Sequence, residues 1–387
     1  MSLRNKCAIV GVGQSRIGKV PDRTGMALAA DAAKAALDDA GLTPADIDGV
    51  LAGYTFTEPY LMLSSVMCEY LGLQPTYSAS IMVGGGSAGF MLHHAMHAIV
   101  TGAATNVLIV MGENRRTGQT SDDAIAAISK IGHPYYEHPY GAPMPGLYGL
   151  VARRHMHEYG TTYEHLAAVS VNTRYHASLN PSAQMRELIT VEDVLNSRMI
   201  SDPFRMLNCC LISDAGGAMI VTSAERAKDL RSAPVYVRGI GEMHTHEHVS
   251  MARNLTETGA GRSSEIAYAM AGVGPEDIDY ASLYDCFSIV PIMELEELGF
   301  VKPGEGGDFF LGGHARLGGQ LPVNTHGGML SHAHAGGAGG LFDITEAALQ
   351  VRGECGERQV EGAQVALAHV EGGILSAHCT VVVSNTE

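Results

Sequence analysis

The chain has 387 residues, 46% hydrophobic and 17% charged, which is apolar mass for one large core or two ordinary ones and too little charge for disorder. A formal net charge of −16 argues against the basic patches that non-specific nucleic-acid binding needs, and no apolar run reaches the length of a membrane span. Seven scattered cysteines without a CxxC pair argue against zinc or thioredoxin-type redox chemistry and for a reducing compartment, the cytoplasm.

The opening residues, Met1 to Lys6, hold no long apolar stretch, so no signal peptide is expected; they lead into a short strand, Cys7 to Val12. Ala29 to Leu37 reads as an Ala-rich amphipathic helix. It is followed by Ala40-Gly-Leu-Thr-Pro-Ala-Asp-Ile-Asp48 and a strand, Gly49 to Tyr54. The Gly-rich turn Val83-Gly-Gly-Gly-Ser-Ala-Gly89 opens a helix to about Val100, and Asn106 to Met111 is a further strand. Residues 113–210 are rich in Gly, Pro, His and Tyr, with helices predicted near 147–159 and 162–177. Their length predicts a loop domain over the site, with the Tyr- and Pro-rich stretch 134–148 shaping the pocket mouth.

The first pattern then recurs. A helix at Glu265 to Met270 precedes Ala271-Gly-Val-Gly-Pro-Glu-Asp-Ile-Asp279, which matches residues 40–48 at six of nine positions. A strand from Tyr280 to Tyr284 follows, then the Gly-rich turn Ala335 to Gly340, a helix to about Arg352 and a strand, Gln364 to His369. Alternating strands and helices predict α/β halves with parallel sheets covered by helices. Two such halves place the site where their Gly-rich helix N-termini converge.

Several segments carry a family resemblance. Asn208-Cys-Cys-Leu-Ile-Ser-Asp-Ala-Gly-Gly-Ala218 resembles the Ser-Asp-Gly-Ala-Ala segment that closes the first half of thiolases. Tyr284-Asp285-Cys286-Phe287 resembles the His-Asp-Cys-Phe motif of sterol-carrier-type thiolases. Asn324-Thr-His-Gly-Gly328 with Ser331-His-Ala-His334 resembles the Asn-x-x-Gly-Gly…Gly-His-Pro region, and Glu371-Gly-Gly373 the late glycine-rich loop. The resemblance implies a thiolase fold: two duplicated βαβαβαββ halves in a five-layered αβαβα arrangement. The first half is then residues 1–112 and 211–228, the loop-domain insert 113–210, and the second half 229–387.

The departures from that pattern bear on function. The nucleophilic cysteine that starts the central helix of thiolases falls at Gly85, and no cysteine lies between Cys68 and Cys209. Ser87 is near, but a serine needs an adjacent base. The late Cys-x-Gly is replaced by His369-Val-Glu-Gly372. The pattern is similar to thiolase-like steroid side-chain aldolases, often labelled lipid-transfer proteins. It implies nucleophile-free retro-aldol cleavage of a β-hydroxyacyl-CoA. Acyl transfer through another residue, or non-catalytic acyl-CoA or lipid binding, are the alternatives.

The expected site follows from these motifs. Tyr284 and His332 form the acid/base pair, provided neighbours lower the phenol's pKa; Asp285 orients a partner or holds the loop, and Cys286 is a further acid/base candidate. Either His332 or His334 matches the family histidine, with His332 favoured. Gly85, Gly86, Gly372 and Asn324 are candidates for holding the oxyanion and substrate. Cys209 and Cys210 are expected in the core, and His93, His94 and His97 on a helix surface. No metal is expected, because ligand-spaced partners are missing from the histidine cluster, and no cofactor beyond the coenzyme A of the substrate. By resemblance the partners are an acyl-CoA, a second copy of the chain, and a small OB-fold/zinc-ribbon protein completing a heterotetramer.

Overall fold

The computed structural model describes residues 3–120, 122–123, 131–141 and 143–387. Met1 and Ser2, and residues 121, 124–130 and 142 of the predicted insert, lie outside the described residues. The first half begins β1 (Cys7–Gln14), α1 (Gly25–Ala40), β2 (Gly49–Gly53), α2 (Leu63–Leu71), β3 (Tyr77–Ile81), α3 (Ser87–Val100) and β4 (Asn106–Asn114). The intervening segment carries α4 (Met144–Tyr159), α5 (Tyr163–Leu179), α6 (Val191–Asn196) and a small hairpin of β5 (Met199–Ser201) and β6 (Phe204–Arg205). Next come β7 (Asp214–Ser223), α7 (Ala224–Ala227), β8 (Val235–His244), α8 (Ala260–Ala271), β9 (Tyr280–Leu283), α9 (Val290–Glu297) and α10 (Gly306–Leu311). The chain closes with α11 (Ala338–Arg352), β10 (Val365–Gly372) and β11 (Ala377–Ser384).

The strands order as β3-β2-β4-β7-β1-β8-β11-β10-β9. The first five belong to one half and the last four to the other, and the halves meet where Ala8 and Ile9 pair with Tyr236 and Val235. Val323 bridges Ala281 in parallel, filling beside β9 the place that β3 fills beside β2. The predicted parallel sheets are in fact mixed. Strands joined through helices run parallel (β2 with β3 and β4, β9 with β10), whereas β7 and β11 close their halves antiparallel. The short turn 373–376 between β10 and β11 leaves no room for the crossover that a parallel pair requires. The segment 115–213 occupies the equivalent place between β4 and β7.

Five layers result. α1 covers the outer face of the first sheet and α8 that of the second, while α3 and α11 pack on each other and on strands of both halves. The close outer packing is encoded twice. A Cβ at Gly11 or Gly13 of β1 would fall on the Ala36 or Ala32 carbonyl of α1; at Gly239 or Gly241 of β8 it would fall on the Ala267 or Ser263 carbonyl of α8. Only glycine lets the helix approach so near.

The repeated nine-residue segment is a clamp. Gly41 and Gly272 end α1 and α8 in the left-handed conformation, each at φ 70°. Asp46 and Asp277 then accept the Thr43 and Gly274 N–H groups at 2.8 Å. Asp48 accepts from the Thr105 and Asn106 N–H groups, and Asp279 from those of Gln364 and Val365. Each half thus ties the start of one strand to the start of its parallel neighbour, β2 to β4 and β9 to β10.

Candidate active site

The N-terminal ends of α3 and α11 converge on a cavity of about 410 Å³, lined at those ends by Gly84, Gly85 and Gly336. Two helix N-termini aimed at one space favour negative charge there. The opposite side is built by the insert: Pro143, Met144 and Pro145 at the start of α4, Tyr148 on it, and Ile200 and Met206 beyond. The Tyr- and Pro-rich stretch therefore borders the cavity. Tyr54, Phe56 and Arg115 complete the rim. Their loop is held by Glu113 at the end of β4, whose buried carboxylate accepts from the Thr55 hydroxyl (2.8 Å), the Thr57 N–H (3.1 Å), the Phe56 N–H and the Thr57 hydroxyl.

The second half supplies the chemistry-bearing side chains. Tyr284, Cys286 and Phe287 follow β9, His334 precedes α11, and Glu371 lies near the end of β10. Tyr284 is 5% exposed, and its ring lies edge-on to His334 with centroids 6.5 Å apart. A Cβ built on Gly85 would fall on the Tyr284 hydroxyl, so the phenol fills the space that a side chain at residue 85 would take. Burial raises its pKa well above the ordinary value, with Cys286 and Glu371 adding to the effect. A proton shuttle at Tyr284 would need neighbours that lower this pKa; the structure does the reverse, and Tyr284 is held as a neutral hydroxyl.

Glu371 is the acceptor of the site. Its carboxylate takes the Tyr148 hydroxyl at 2.5 Å, the Cys286 thiol at 3.5 Å and the Leu375 N–H at 3.1 Å. Burial lifts its pKa to about 7 despite these bonds, so it ionises near neutrality. Cys286 and Tyr148 are both pushed well above their usual values, burial first. Tyr148 is seated by Phe287 (4.6 Å between centroids), which stacks in turn on Phe204 at 5.0 Å.

His334 and His332 part company. His334 lines the cavity and places Nδ1 3.0 Å from the Cys210 sulfur. Burial, and then Arg115, depress its pKa to about 3, while burial raises the Cys210 thiol to about 12, so both members of the pair rest neutral. His332, favoured from sequence, lies outside this cavity. It packs against His326 and Phe342 (5.2 Å each) and borders a separate cavity with Glu346 and Arg358. The cause is a π-helical turn, Gly328–His332, which swings His332 away before the chain extends through Ala333 to His334.

Other expected residues have structural partners. The Asp285 carboxylate accepts the Met329 N–H at 2.6 Å and the Leu330 N–H at 3.3 Å, fastening the π-helical turn, and does not line the cavity. Burial raises its pKa to about 7. The Asn324 side chain is spent on the main chain of Leu283, with Oδ1 accepting the N–H and Nδ2 donating to the carbonyl, both at 2.7 Å. Gly86 caps α3, and Gly372 lets its strand cross the Val83 carbonyl; neither lines the cavity, whereas Gly85 does. The Ser87 hydroxyl donates to the Gly84 carbonyl (2.7 Å) and accepts the Val83 N–H (2.9 Å), fixing the turn without a base beside it. Among the described residues no group of three His, Cys, Asp or Glu side chains is placed to hold a metal.

Glu371, Tyr148, Arg115 and the cavity position of Cys210 were not singled out from sequence. Glu371 had a signal, since it is the one acid in the strand Val365–Gly372, whose other residues are apolar or glycine apart from His369. Tyr148 had none, because its role depends on how α4 docks against β10.

The comparisons agree with this architecture. Residues 7–225 match the family description "Thiolase, N-terminal domain" and residues 241–385 "Thiolase C-terminal domain-like". The chain is 37% identical over 373 residues to an acetyl-CoA acetyltransferase of Methanothermobacter thermautotrophicus, covering 95% of this chain and 96% of that one. It is 36% identical over 367 residues to the 17-hydroxy-3-oxo-4-pregnene-20-carboxyl-CoA lyase of Mycobacterium tuberculosis, covering 91% and 92%. A solved Ltp2-ChsH2(DUF35) aldolase superposes with a TM-score of 0.89 at 33% identity over the full length of both chains. With both halves matched and the duplicated five-layer fold in place, the chain belongs to the thiolase family.

Proposed function

We propose that this protein cleaves a β-hydroxyacyl-CoA between Cα and Cβ by a retro-aldol reaction, without an acyl-enzyme intermediate. The observation that carries the reading is the Tyr284 hydroxyl standing where a nucleophilic side chain at residue 85 would stand. Overall similarity does not choose between the chemistries, because a lyase and an acetyltransferase are almost equally close. The occupied nucleophile position favours the lyase.

In this reading the substrate thioester lies against the α3 and α11 N-termini. Glu371, ionised near pH 7, takes the β-hydroxyl proton, directly or through Tyr148. The electron pair of the broken Cα–Cβ bond passes to the thioester as an enolate while Cβ becomes a carbonyl. The backbone of the Gly84–Gly85 turn and the helix ends stabilise the enolate, and the neutral Tyr284 phenol gives Cα its proton. Proton return from Glu371 to Tyr284 resets the site. Coenzyme A enters as part of the substrate, with no further cofactor.

The test is to incubate the protein with a panel of β-hydroxyacyl-CoAs and measure shortened acyl-CoA together with aldehyde or ketone. Stoichiometric products that vanish in Tyr284→Phe support the reading; intact substrate after every incubation overturns it. A second reading rests on the Cys210–His334 pair, the residue types of nucleophilic thiol catalysis. An acyl adduct on Cys210 detected by mass spectrometry would favour acyl transfer, but burial holds both groups neutral and so disfavours it.

The assembly is proposed on similar grounds. The edge strand β3 lies near an exposed apolar group, Tyr60, Leu61, Met62 and Met82, suited to a second copy of the chain. The solved relative is an assembly with ChsH2(DUF35), and exposed Ile200, Met206 and Ile212, which line the cavity, offer this chain a face for a small OB-fold partner. All seven cysteines are free, as suits the cytoplasm, and no helix among the described residues is long and apolar enough to cross a membrane.

A further inference from the structure

Beside the reaction cavity lies a second one, of about 420 Å³. The two share Arg115, Met206 and the segment Cys209–Ile212 as a common wall. Their characters differ. The reaction cavity is largely apolar around a few polar groups, whereas the second is lined by Arg115, Arg116 and Arg174 with Gln119, Thr120 and Gln184, and by no acid.

None of these cations forms an ion pair among the described residues. Arg115 is only 6% exposed, forms no ion pair among the described residues, and keeps its Nε buried without a hydrogen-bond partner. Gln119 Nε2 is likewise buried and unpartnered. Arg174, 4% exposed, feels the Glu187 carboxylate only through space. Its Nε donates to the Ser331 hydroxyl at 2.9 Å and Nη1 to the Glu187 carbonyl at 3.2 Å, both uncharged acceptors. Of the nearby carboxylates, Asp214 is spent on main-chain N–H groups of Val20, Arg116 and Thr117, and Asp123 on the N–H and hydroxyl of Thr120. The residues outside the described set include no Asp or Glu, so none of them can supply the missing charge. A buried guanidinium without an acceptor is costly, and a cluster of guanidinium forks with no acid matches the planar geometry of an oxyanion.

We infer that this second cavity is an oxyanion subsite for the distal end of the acyl group, so that the enzyme prefers acyl-CoA thioesters carrying a second, free carboxylate. The inference deepens the acyl-CoA reading above and rests on it. The shared wall lets one ligand reach from the thioester in the first cavity to a carboxylate in the second. A phosphate offers the same chemistry, and the coenzyme's own phosphate groups are the competing source.

The experiment measures binding, so that it is read apart from C–C cleavage. By calorimetry, ω-carboxyacyl-CoAs of increasing chain length are compared with fatty acyl-CoAs of equal carbon number, and with free coenzyme A and inorganic phosphate. The expected result is a preference of tenfold or more for one length of carboxylated ligand, the step that about 1.4 kcal/mol confers. Arg174→Gln should abolish that preference while leaving the affinity for free coenzyme A unchanged. Arg116→Glu, a change at an exposed residue, should do the same if the buried variant fails to fold. Equal affinity for both ligand series at every length overturns the inference. So does a parallel loss of affinity for free coenzyme A in the variants, which would assign the cavity to the coenzyme's phosphates. Absence of lyase products with the preference intact would sink the retro-aldol reading and leave the subsite standing.

Discussion

The two halves meet the cavity in opposite ways. In the first, the turn 83–86 entering α3 offers only main chain, and Ser87 below it is spent on holding the turn. In the second, the ends of β9 and β10 and the loop before α11 deliver Tyr284, Cys286, Glu371 and His334. The shared devices are the ones that pack: the Gly-x-Gly strands under α1 and α8, and the Asp48 and Asp279 clamps. Tight packing restricts change in the layers, while loop ends carry chemistry and are free to diverge. The first half is bare at residue 85 because the second half has filled that space.

The sharpest way to break this complementarity is at the Gly85–Tyr284 contact. Tyr284→Phe should reduce lyase kcat by about 10²-fold or more, the scale of a lost proton donor. Gly85→Ala should be inactive as well and lower the melting temperature. Tyr284→Ala in the same chain should restore that temperature but not activity. Additive losses would show that the two positions do not share one space.

Glu371 tests the acceptor side. Glu371→Gln should lower kcat by about 10²-fold. In the wild type, kcat/KM should rise as pH passes through about 7, the ionisation of Glu371, and this rise should flatten in the variant. Stability should move the other way. Glu371 and Asp285 have folded pKa values of about 7, above the carboxylate value of about 4 in unfolded chains, so the folded state holds protons that the unfolded state has released. That contribution is complete below about 4 and is lost as pH rises to about 7, while buried His334, held neutral, contributes the opposite slope; the melting temperature of the wild type relative to Glu371→Gln, in which only the Glu371 contribution differs, should therefore fall across this window. A flat difference with a rising rate would detach the base from Glu371.

The packing devices should respond alike in both halves. Gly11→Ala and Gly239→Ala each force a methyl group onto a helix carbonyl and should cost about 1–3 kcal/mol by denaturant melts. A large cost in one half alone would mean that the halves are not packed by the same device. The two histidines give the smallest effect and the clearest contrast. His334→Ala should alter kcat, whereas His332→Phe, at a buried site whose ring nitrogens lack partners, should keep kcat/KM within about twofold. Equal effects would undo the separation made by the π-helical turn.

The duplication, the strand–helix order, the convergence of the two Gly-rich helix starts and the empty nucleophile position at Gly85 are legible in the order of the amino acids. These are local matters: periodicity, turn residues and repeated clamps are written within a few residues of where they act. Tyr284, Cys286 and His334 are legible there too, because short motifs stand at strand ends. What each group is used for depends on packing between distant segments. Asn324 and Asp285 look reactive as letters but are consumed by main-chain partners at Leu283, Met329 and Leu330. His332 and His334 are two residues apart, and a π-helical turn sends one of them away. Glu371 and Tyr148 meet across more than half the chain, and burial, which no local pattern records, raises the carboxyl to a pKa of about 7 and keeps the phenols protonated. Desolvation and close approach are properties of the assembled interior, so the residues that carry charge here became identifiable only once the two halves and the insert had closed around them.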